Sequence, residues 1–323
     1  MKGIAKRTTK LGFNILRLHF SCDPDKDPET EAGKRWYDDA RRGMSDARWR
    51  QEFEIDYGAL GGQRVFPEFE ETLHVVPAQL PIDPLRITTW LAADPHPRTP
   101  HAFVWASVNK EGDIAVVWSW WPDKNAVGAG AELAEKPRPS IPECCEYLRK
   151  AERLIVKPYR RLMDVAGKSF NASEEQDYFE AFRTAKMTRE VSGKITTTDV
   201  GVSFNPAKKD IGSVGYELIN QALKPRPVNL PDGTIVNRPR LTIWRRCGDN
   251  DELVYQFKTL RYREWKGQVT DKDAPEEPQD KRRHLLDCLK YIFLDRPRFV
   301  DRTPQDNSDQ DYHNVVIATG ARP

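Results

Sequence analysis

Two aspartates stand at the ends of strand-like runs: Asp94 closes ITTWLAAD and Asp164 closes YRRLMD. In open α/β sheets the ligand crevice lies beyond the carboxyl ends of the strands, so two such carboxylates meet if their strands are neighbours. A third group of candidates lies in DKRRHLLDCLKY, residues 280–291. At 100° per residue Asp280, His284, Asp287 and Tyr291 share one sector of a helix, opposite Leu285, Leu289 and Ile292. His284 and Asp287 are three apart and can face one site. Clustered aspartates supply the oxygen ligands that hard divalent cations want. Two Mg²⁺ or Mn²⁺ ions about 4 Å apart can activate water and stabilise the leaving oxygen of a phosphodiester. Each group also has an ordinary alternative. Asp94-Pro95 can simply begin a turn, Asp164 can cap a following helix, and a polar stripe is what most surface helices show. The combination is what argues for a site on Asp94, Asp164, Asp287 and His284, while Asp280 stays with the wet surface.

The elements that must position these residues read as an alternation of strands and helices from residue 87. Strands are expected at ITTWLAAD, HAFVWASV and DIAVVWSWW, with NKEGD as a hairpin turn. A helix over 141–153, the strand YRRLMD, helices over 173–184 and 210–223, and a hairpin turning at Asp232-Gly233 follow. The strand LTIWRRC and helices over 252–263 and 280–293 complete the order. SGKITTTDVG reads as irregular. Upstream, LGFNILRLHF is strand-like, and residues 36–42 and 45–57 look helical, with Ser45 as N-cap. Strands first and helices on both faces define a mixed α/β sheet. The polar, proline-bearing tail from Asp295 is expected to be disordered.

The totals bound the answer. The chain has 323 residues, 38% hydrophobic content and a net charge of +2, enough for a core and too neutral for a global anion-attracting field. A polyanionic partner must therefore be met by local basic patches. Five cysteines without a CxxC pair argue against a disulfide framework or a zinc knuckle and for a reducing compartment. No apolar run approaches the roughly 18 residues of a spanning helix, and the N-terminus lacks a signal-peptide core. GALGGQRVFPEF is glycine-rich but is not the GxxxxGK[ST] of a P-loop, and no other segment supplies one, so no ATPase motif is expected in this chain. Trp118, Trp120 and Trp121 read as strand or core residues, Cys144-Cys145 as buried on a helix, and His96 and His101 as parts of a solvated loop. Glu174, Glu175 and Asp177 read as acids opening a helix.

Four stretches, WRQEFEIDYGALGGQRVFPEF, WLAADPHPRTPHAFVWASVNKEGDIAVV, RLMDVAG and HLLDCLKY, occur in an order and spacing that resembles the nuclease portion of the large terminase subunit of tailed bacteriophages. The resemblance implies an RNase H-like mixed five-stranded sheet flanked by helices. It implies Asp94 on the first strand, Asp164 on the adjoining fourth strand and Asp287 on the closing helix as metal ligands for two Mg²⁺ or Mn²⁺ ions. His284 would be a ligand or a positioning group, and Lys208 and Lys209 match a basic stretch that could touch DNA, with an exposed turn as their bland alternative. The implied domains are a linker or motor remnant over 1–86, the nuclease over 87–294 and a tail over 295–323. The implied activity is cutting of double-stranded DNA during viral genome packaging in the cytoplasm of an infected bacterium. The implied partners are a small terminase, a portal protein and a terminase ATPase, separately encoded or missing from a fragment, with no membrane involved. A junction resolvase or transposase-like enzyme of the same fold, and a non-catalytic DNA- or portal-binding packaging subunit, are the alternatives. The hairpin over 228–238 has no role in this reading.

Overall fold

The computed structural model describes all residues except 1–3, 9–13, 43, 45–48, 50–52, 55–62, 80–81, 129–136, 166–169, 172–175, 211–213, 230–232, 264–277, 280–281 and 302–323. The chain divides into two compact units, one of residues 1–67 with 261–279, the other of 68–260 with 280–323. The first unit holds the antiparallel pair β1 (Ile4–Thr8) and β2 (Asn14–Leu18) and helix α1 (Glu31–Arg41). Thr30 caps α1 by accepting from the Gly33 amide at 3.0 Å. Its apolar interior is aromatic: Trp49 stacks on Phe53 at 4.3 Å between centroids, and Phe20, Trp36 and Tyr37 close around the pair. The helix expected over 45–57 lies largely outside the described residues.

The second unit is built on one sheet. Besides a short antiparallel pair, Phe170–Asn171 with Gln176–Asp177, its elements in order are α2 (Glu71–His74), β3 (Val75–Val76), β4 (Ile87–Asp94), β5 (Ala102–Asn109), β6 (Ile114–Trp120), α3 (Ile141–Leu154) and β7 (Arg160–Met163). Then come α4 (Tyr178–Arg183), β8 (Lys186–Val191), β9 (Lys194–Asp199), β10 (Asn205–Pro206), α5 (Val214–Leu223), β11 (Arg226–Asn229) and β12 (Ile235–Arg238). β13 (Leu241–Trp244), α6 (Asn250–Thr259) and α7 (His284–Leu294) end the series. The strand order is β10-β7-β4-β5-β6-β13-β3, with β5 antiparallel to its neighbours β4 and β6 and the remaining neighbours parallel. The sheet has seven strands rather than the five expected, the two-residue strands β10 and β3 lying at its edges. This is the RNase H-like arrangement.

β4 explains why the sheet is double-layered. All of it beyond Ile87 is buried, as a strand covered on both faces must be. Leu91 and Ala93 point to one side, where they pack with Phe103, Trp105 and the buried residues of α3 and α4. The period of two sends Trp90, Ala92 and Asp94 to the other side, where α7 lies across β4 and β5. The tryptophans follow the core reading: Trp118 and Trp121 are buried, and Trp120 stacks on Tyr147 at 3.8 Å. Cys144 and Cys145 are buried on α3.

Three further expectations need correction. SGKITTTDVG is not irregular: it completes the β8–β9 hairpin, because Ser192 and Gly193 both take positive φ (53° and 76°), the backbone of a two-residue type I′ turn. The segment after Asp295 is not loose at its start. Asp295 accepts from the Trp90 indole at 3.1 Å and the Arg160 guanidinium at 2.9 Å, and the Val300 amide donates to Thr88 at 2.8 Å. Polar composition concealed these bonds because their partners lie far away in sequence. Finally, His101 is 2% exposed rather than solvated, with the Arg138 guanidinium against its ring at 2.7 Å. Burial and the neighbouring Arg138 charge push its pKa down to about 3, so it stays neutral. Of the acids expected to open a helix, Asp177 caps α4 by accepting from the Glu180 amide at 2.8 Å, while 174 and 175 lie outside the described residues.

Candidate active site

Asp94 is the last residue of β4 and is 9% exposed. β7 runs parallel to β4 with Met163 beside Ala93, so Asp164 follows at the same end of the neighbouring strand, its amide donating to the Ala93 carbonyl at 3.3 Å. The two carboxylates thus share one crevice because two parallel strands end together. α7 crosses above them. Helical spacing from His284 to Asp287 to Tyr291 turns all three towards the strand ends. His284 Nδ1 donates to Asp94 Oδ2 at 2.8 Å, a tautomer set by the carboxylate. Its Nε2 lies 3.5 Å from the Thr99 hydroxyl, and the rings of His96 and Trp121 stand 5.2 and 5.4 Å away. Asp164 takes a hydrogen bond from the buried Tyr291 hydroxyl.

The electrostatics follow from the crowding. Burial pushes the Asp94 carboxyl up to about 6; the His284 bond opposes this, and the charges of Asp287 and Asp164 add to the upward push. His284 is pulled down by burial, but the Asp94 hydrogen bond and charge win and its pKa is raised. Tyr291 and Tyr216 are raised by burial first and by the nearby carboxylates second, so both stay protonated donors.

Asp287 has a different environment. Its Oδ1 accepts from Tyr216 at 2.6 Å and from Lys290 at 2.7 Å, and its Oδ2 pairs with Arg283 at 3.2 Å. Tyr216 reaches it because Gly215 lets α5 approach α7: a Cβ there would lie 2.3 Å from Lys290 Cγ. Gly215→Ala is therefore expected to cost about 1–3 kcal/mol through overpacking. It should also disturb the Lys290–Asp287 pair, and a urea midpoint would register the loss.

The structure therefore brings Asp94, Asp164, Asp287 and His284 into one crevice. Lys208 and Lys209 are exposed, and Lys208 Nζ lies 3.9 Å from Asp295 rather than in that crevice. Asp280 lies outside the described residues, and α7 begins only at His284. The participants that sequence reasoning passed over are Tyr216, Arg283, Lys290 and Thr99. Lys290 and Arg283 carried a signal, each one helical turn from Asp287 and on its side.

The donors suit a hard divalent cation in kind, with carboxylate oxygens converging from β4, β7 and α7 where like charges need a counter-ion. Among the described residues, however, no three Asp, Glu, His or Cys side chains form a ready ligand group. The oxygens of Asp287 are turned to Lys290, Arg283 and Tyr216 instead.

An RNase H-like sheet with a carboxylate crevice at its strand ends is the class this architecture defines. Among solved structures the chain is similar to the large terminase of a thermophilic bacteriophage. With ATP-gamma-S bound, that structure matches at a TM-score of 0.52 and 15% identity over 83% of this chain and 53% of that one. A second crystal form of the same terminase matches at 0.51 and 15%, over 83% and 52%. The P22 large terminase nuclease domain gives a weaker likeness, TM-score 0.45 and 11% identity over 73% of this chain and 94% of that one. At these identities the likeness to the thermophilic phage's terminase is one of fold, and the chain spans about half the length of that protein. No protein-family model matches the chain, and no curated protein matches it in sequence. Among the described residues no helix is long and apolar enough to cross a membrane.

Proposed function

We propose that the protein is a metal-dependent endonuclease that hydrolyses phosphodiesters of double-stranded DNA, acting in the packaging of a viral genome. The observation that carries this reading is the meeting of Asp94 and Asp164 at the ends of parallel neighbours β4 and β7, beneath His284 and Asp287 of α7. Mg²⁺ or Mn²⁺ held on this carboxylate face would polarise the phosphodiester and lower the pKa of an attacking water.

The chain's own residues perform the remaining tasks. Asp94 and Asp164 present oxygen donors from two rigid strands, which fixes their spacing better than loops could. Asp94 also orients the His284 ring, leaving Nε2 towards Thr99 and the crevice, where it can take or return a proton. Tyr291 holds the Asp164 carboxylate by donating to it. Basic side chains on the surface would supply DNA affinity that falls with salt. The resemblance extends the reading to a terminase ATPase, a small terminase and a portal protein as partners, in the cytoplasm of an infected bacterium.

The test is digestion of supercoiled plasmid with Mn²⁺ or Mg²⁺. Cleavage should require the metal, stop with EDTA, and fall in Asp164→Asn by more than the roughly 10–100-fold that loss of an outer-shell partner costs. Undiminished cleavage by that variant would remove the site from the chemistry. Equal cutting of linear and branched DNA separates this activity from a junction-specific one.

A further inference from the structure

We infer that Arg226, Arg238 and Arg240 form a second nucleic-acid contact, at the end of the sheet away from the crevice, which takes backbone phosphates of duplex DNA. This goes beyond the nuclease reading, gives the β11–β12 hairpin a role, and stands whether or not the crevice cleaves.

The hairpin places two of the arginines. Arg226 and Arg238 are directly opposed across β11 and β12, on the less exposed face of both strands with Val228 and Val236. Like charges so opposed destabilise a strand pair unless an anion intervenes. Asp113, in the turn between β5 and β6, meets both: Arg226 donates to Oδ1 at 2.8 Å and Arg238 to Oδ2 at 2.5 Å. Arg240, two residues on, donates from Nε to the Gly112 carbonyl of the same turn at 2.7 Å. Burial and the Arg226 charge pull its pKa down, with Asp113 opposing them, so the third guanidinium sits in the field of the first. Lys110 and Glu111 of that turn are exposed and cancel in charge.

The cluster exceeds what a structural clamp requires, since one arginine on Asp113 would tie the hairpin to the turn. Among the described residues Asp113 is the one acid that pairs with the three, which leaves an excess of two positive charges. Each guanidinium carries five N–H donors and gives one hydrogen bond to the protein among the described residues. The Nε atoms of Arg226 and Arg238 are buried without a partner, a destabilising arrangement for a clamp. Their side chains are nevertheless 42% and 41% exposed, so their outer ends meet solvent. Planar forks in excess suit phosphate oxygens, and two units of excess charge match two neighbouring phosphodiesters. A single carboxylate of a protein partner would leave charge unmatched.

The placement suits one duplex. β6 starts beside Asp113 and ends beside Trp121, whose ring stands 5.4 Å from that of His284. At about 3.3 Å per residue the cluster and the crevice are about 25 Å apart. One turn of duplex, about 34 Å, covers that span.

The experiment measures binding of a fluorescent duplex of about three helical turns by anisotropy over a range of salt concentrations. It uses the full chain in EDTA, so that nothing is cut and the result is independent of cleavage by Asp164→Asn. A urea midpoint checks folding. Arg238→Gln and Arg240→Gln both leave Arg226 on Asp113. Each should weaken binding roughly tenfold, the low end for a hydrogen bond to a charged group. Each should also flatten the slope of log affinity against log salt by about 0.9, one phosphate contact. Arg238→Lys, which keeps the charge, should keep the slope. An unchanged slope in both glutamine variants overturns the inference. If inorganic phosphate at matched ionic strength then still raises the melting temperature of the wild type alone, the cluster takes free phosphate instead of DNA. Loss of polyglutamate binding in place of duplex binding would assign it to an acidic protein surface and overturn the inference too. So would a loss of affinity that follows a fallen urea midpoint and is not restored in Arg238→Lys, which would reduce the arginines to a clamp.

Discussion

Asp94→Asn is expected to make the protein more stable in EDTA at pH 8 and to leave it without metal-dependent cleavage. The Asp94 carboxyl is raised from its ordinary 3.8 to about 6, chiefly because it is buried. The folded chain therefore holds this proton more tightly than the unfolded chain, and stability falls as pH rises between about 4 and 6. At 1.36 kcal/mol per pH unit the fall is at most about 3 kcal/mol. Asparagine has no proton to lose and escapes it. Its side-chain oxygen can still accept from His284, so the helix-to-strand bond survives.

The pH of the measurement matters because His284 works with the opposite sign. Its pKa is raised by Asp94, so its contribution is fully present below the unfolded value of 6.5 and fades as pH rises through the folded one. The variant loses that contribution, which masks its gain in mild acid and masks it less as pH rises through the folded His284 value. For a domain of 150–250 residues each 1 kcal/mol moves Tm by about 2–4 °C. Saturating Mn²⁺ should reverse the order, since an ion at about 1,000 times its dissociation constant adds about 4.1 kcal/mol to the wild type alone. A variant that melts below the wild type in EDTA at pH 8 would refute the strain assigned to Asp94.

What sequence could and could not show divides along the length scale of the interaction. The strands that end at Asp94 and Asp164 and the apolar face of α7 are local patterns of period 2.0 and 3.6, and the sheet built from them has the anticipated RNase H-like order. The state of Asp287 is not local. Tyr216 lies 71 residues away and reaches it only because Gly215 allows two helices to touch. Likewise the burial of His101 depends on Arg138, 37 residues on, and the anchoring of Asp295 depends on Trp90 and Arg160. A polar stripe on a helix tells which side is polar; whether its acids meet metals or lysines is decided by rotamers and by neighbours brought in from elsewhere.

Glu252→Ala is expected to cost about 3 kcal/mol, the low end for stripping one partner from a buried ion pair, because the Arg282 left behind keeps 30% of its side-chain exposure. Glu252 is 0% exposed on the first turn of α6. One carboxylate oxygen accepts from the Val127 amide at 2.6 Å and from Arg282 at 2.7 Å; the other accepts from Arg282 at 2.9 Å and Gln256 at 3.0 Å. Arg282 spans this fork with its guanidinium 4.3 Å from the Tyr255 ring, on a backbone held at φ 52°, a left-handed conformation unusual for arginine. Gln256 passes the restraint on by accepting from the Leu286 amide at 3.3 Å, in the first turn of α7, whose N-cap Arg283 offers no side-chain acceptor of its own. The network therefore sets where α7 begins, and with it where His284 meets Asp94. Glu252→Gln keeps the shape but loses the charge, and should cost about 1–3 kcal/mol. Urea denaturation measures both. In a double-mutant cycle with Arg282→Met, the coupling should account for most of the Glu252→Ala loss. Loss of less than about 1 kcal/mol in Glu252→Ala, the scale of an exposed pair, would show that α7 is positioned by packing on β4 and β5 alone.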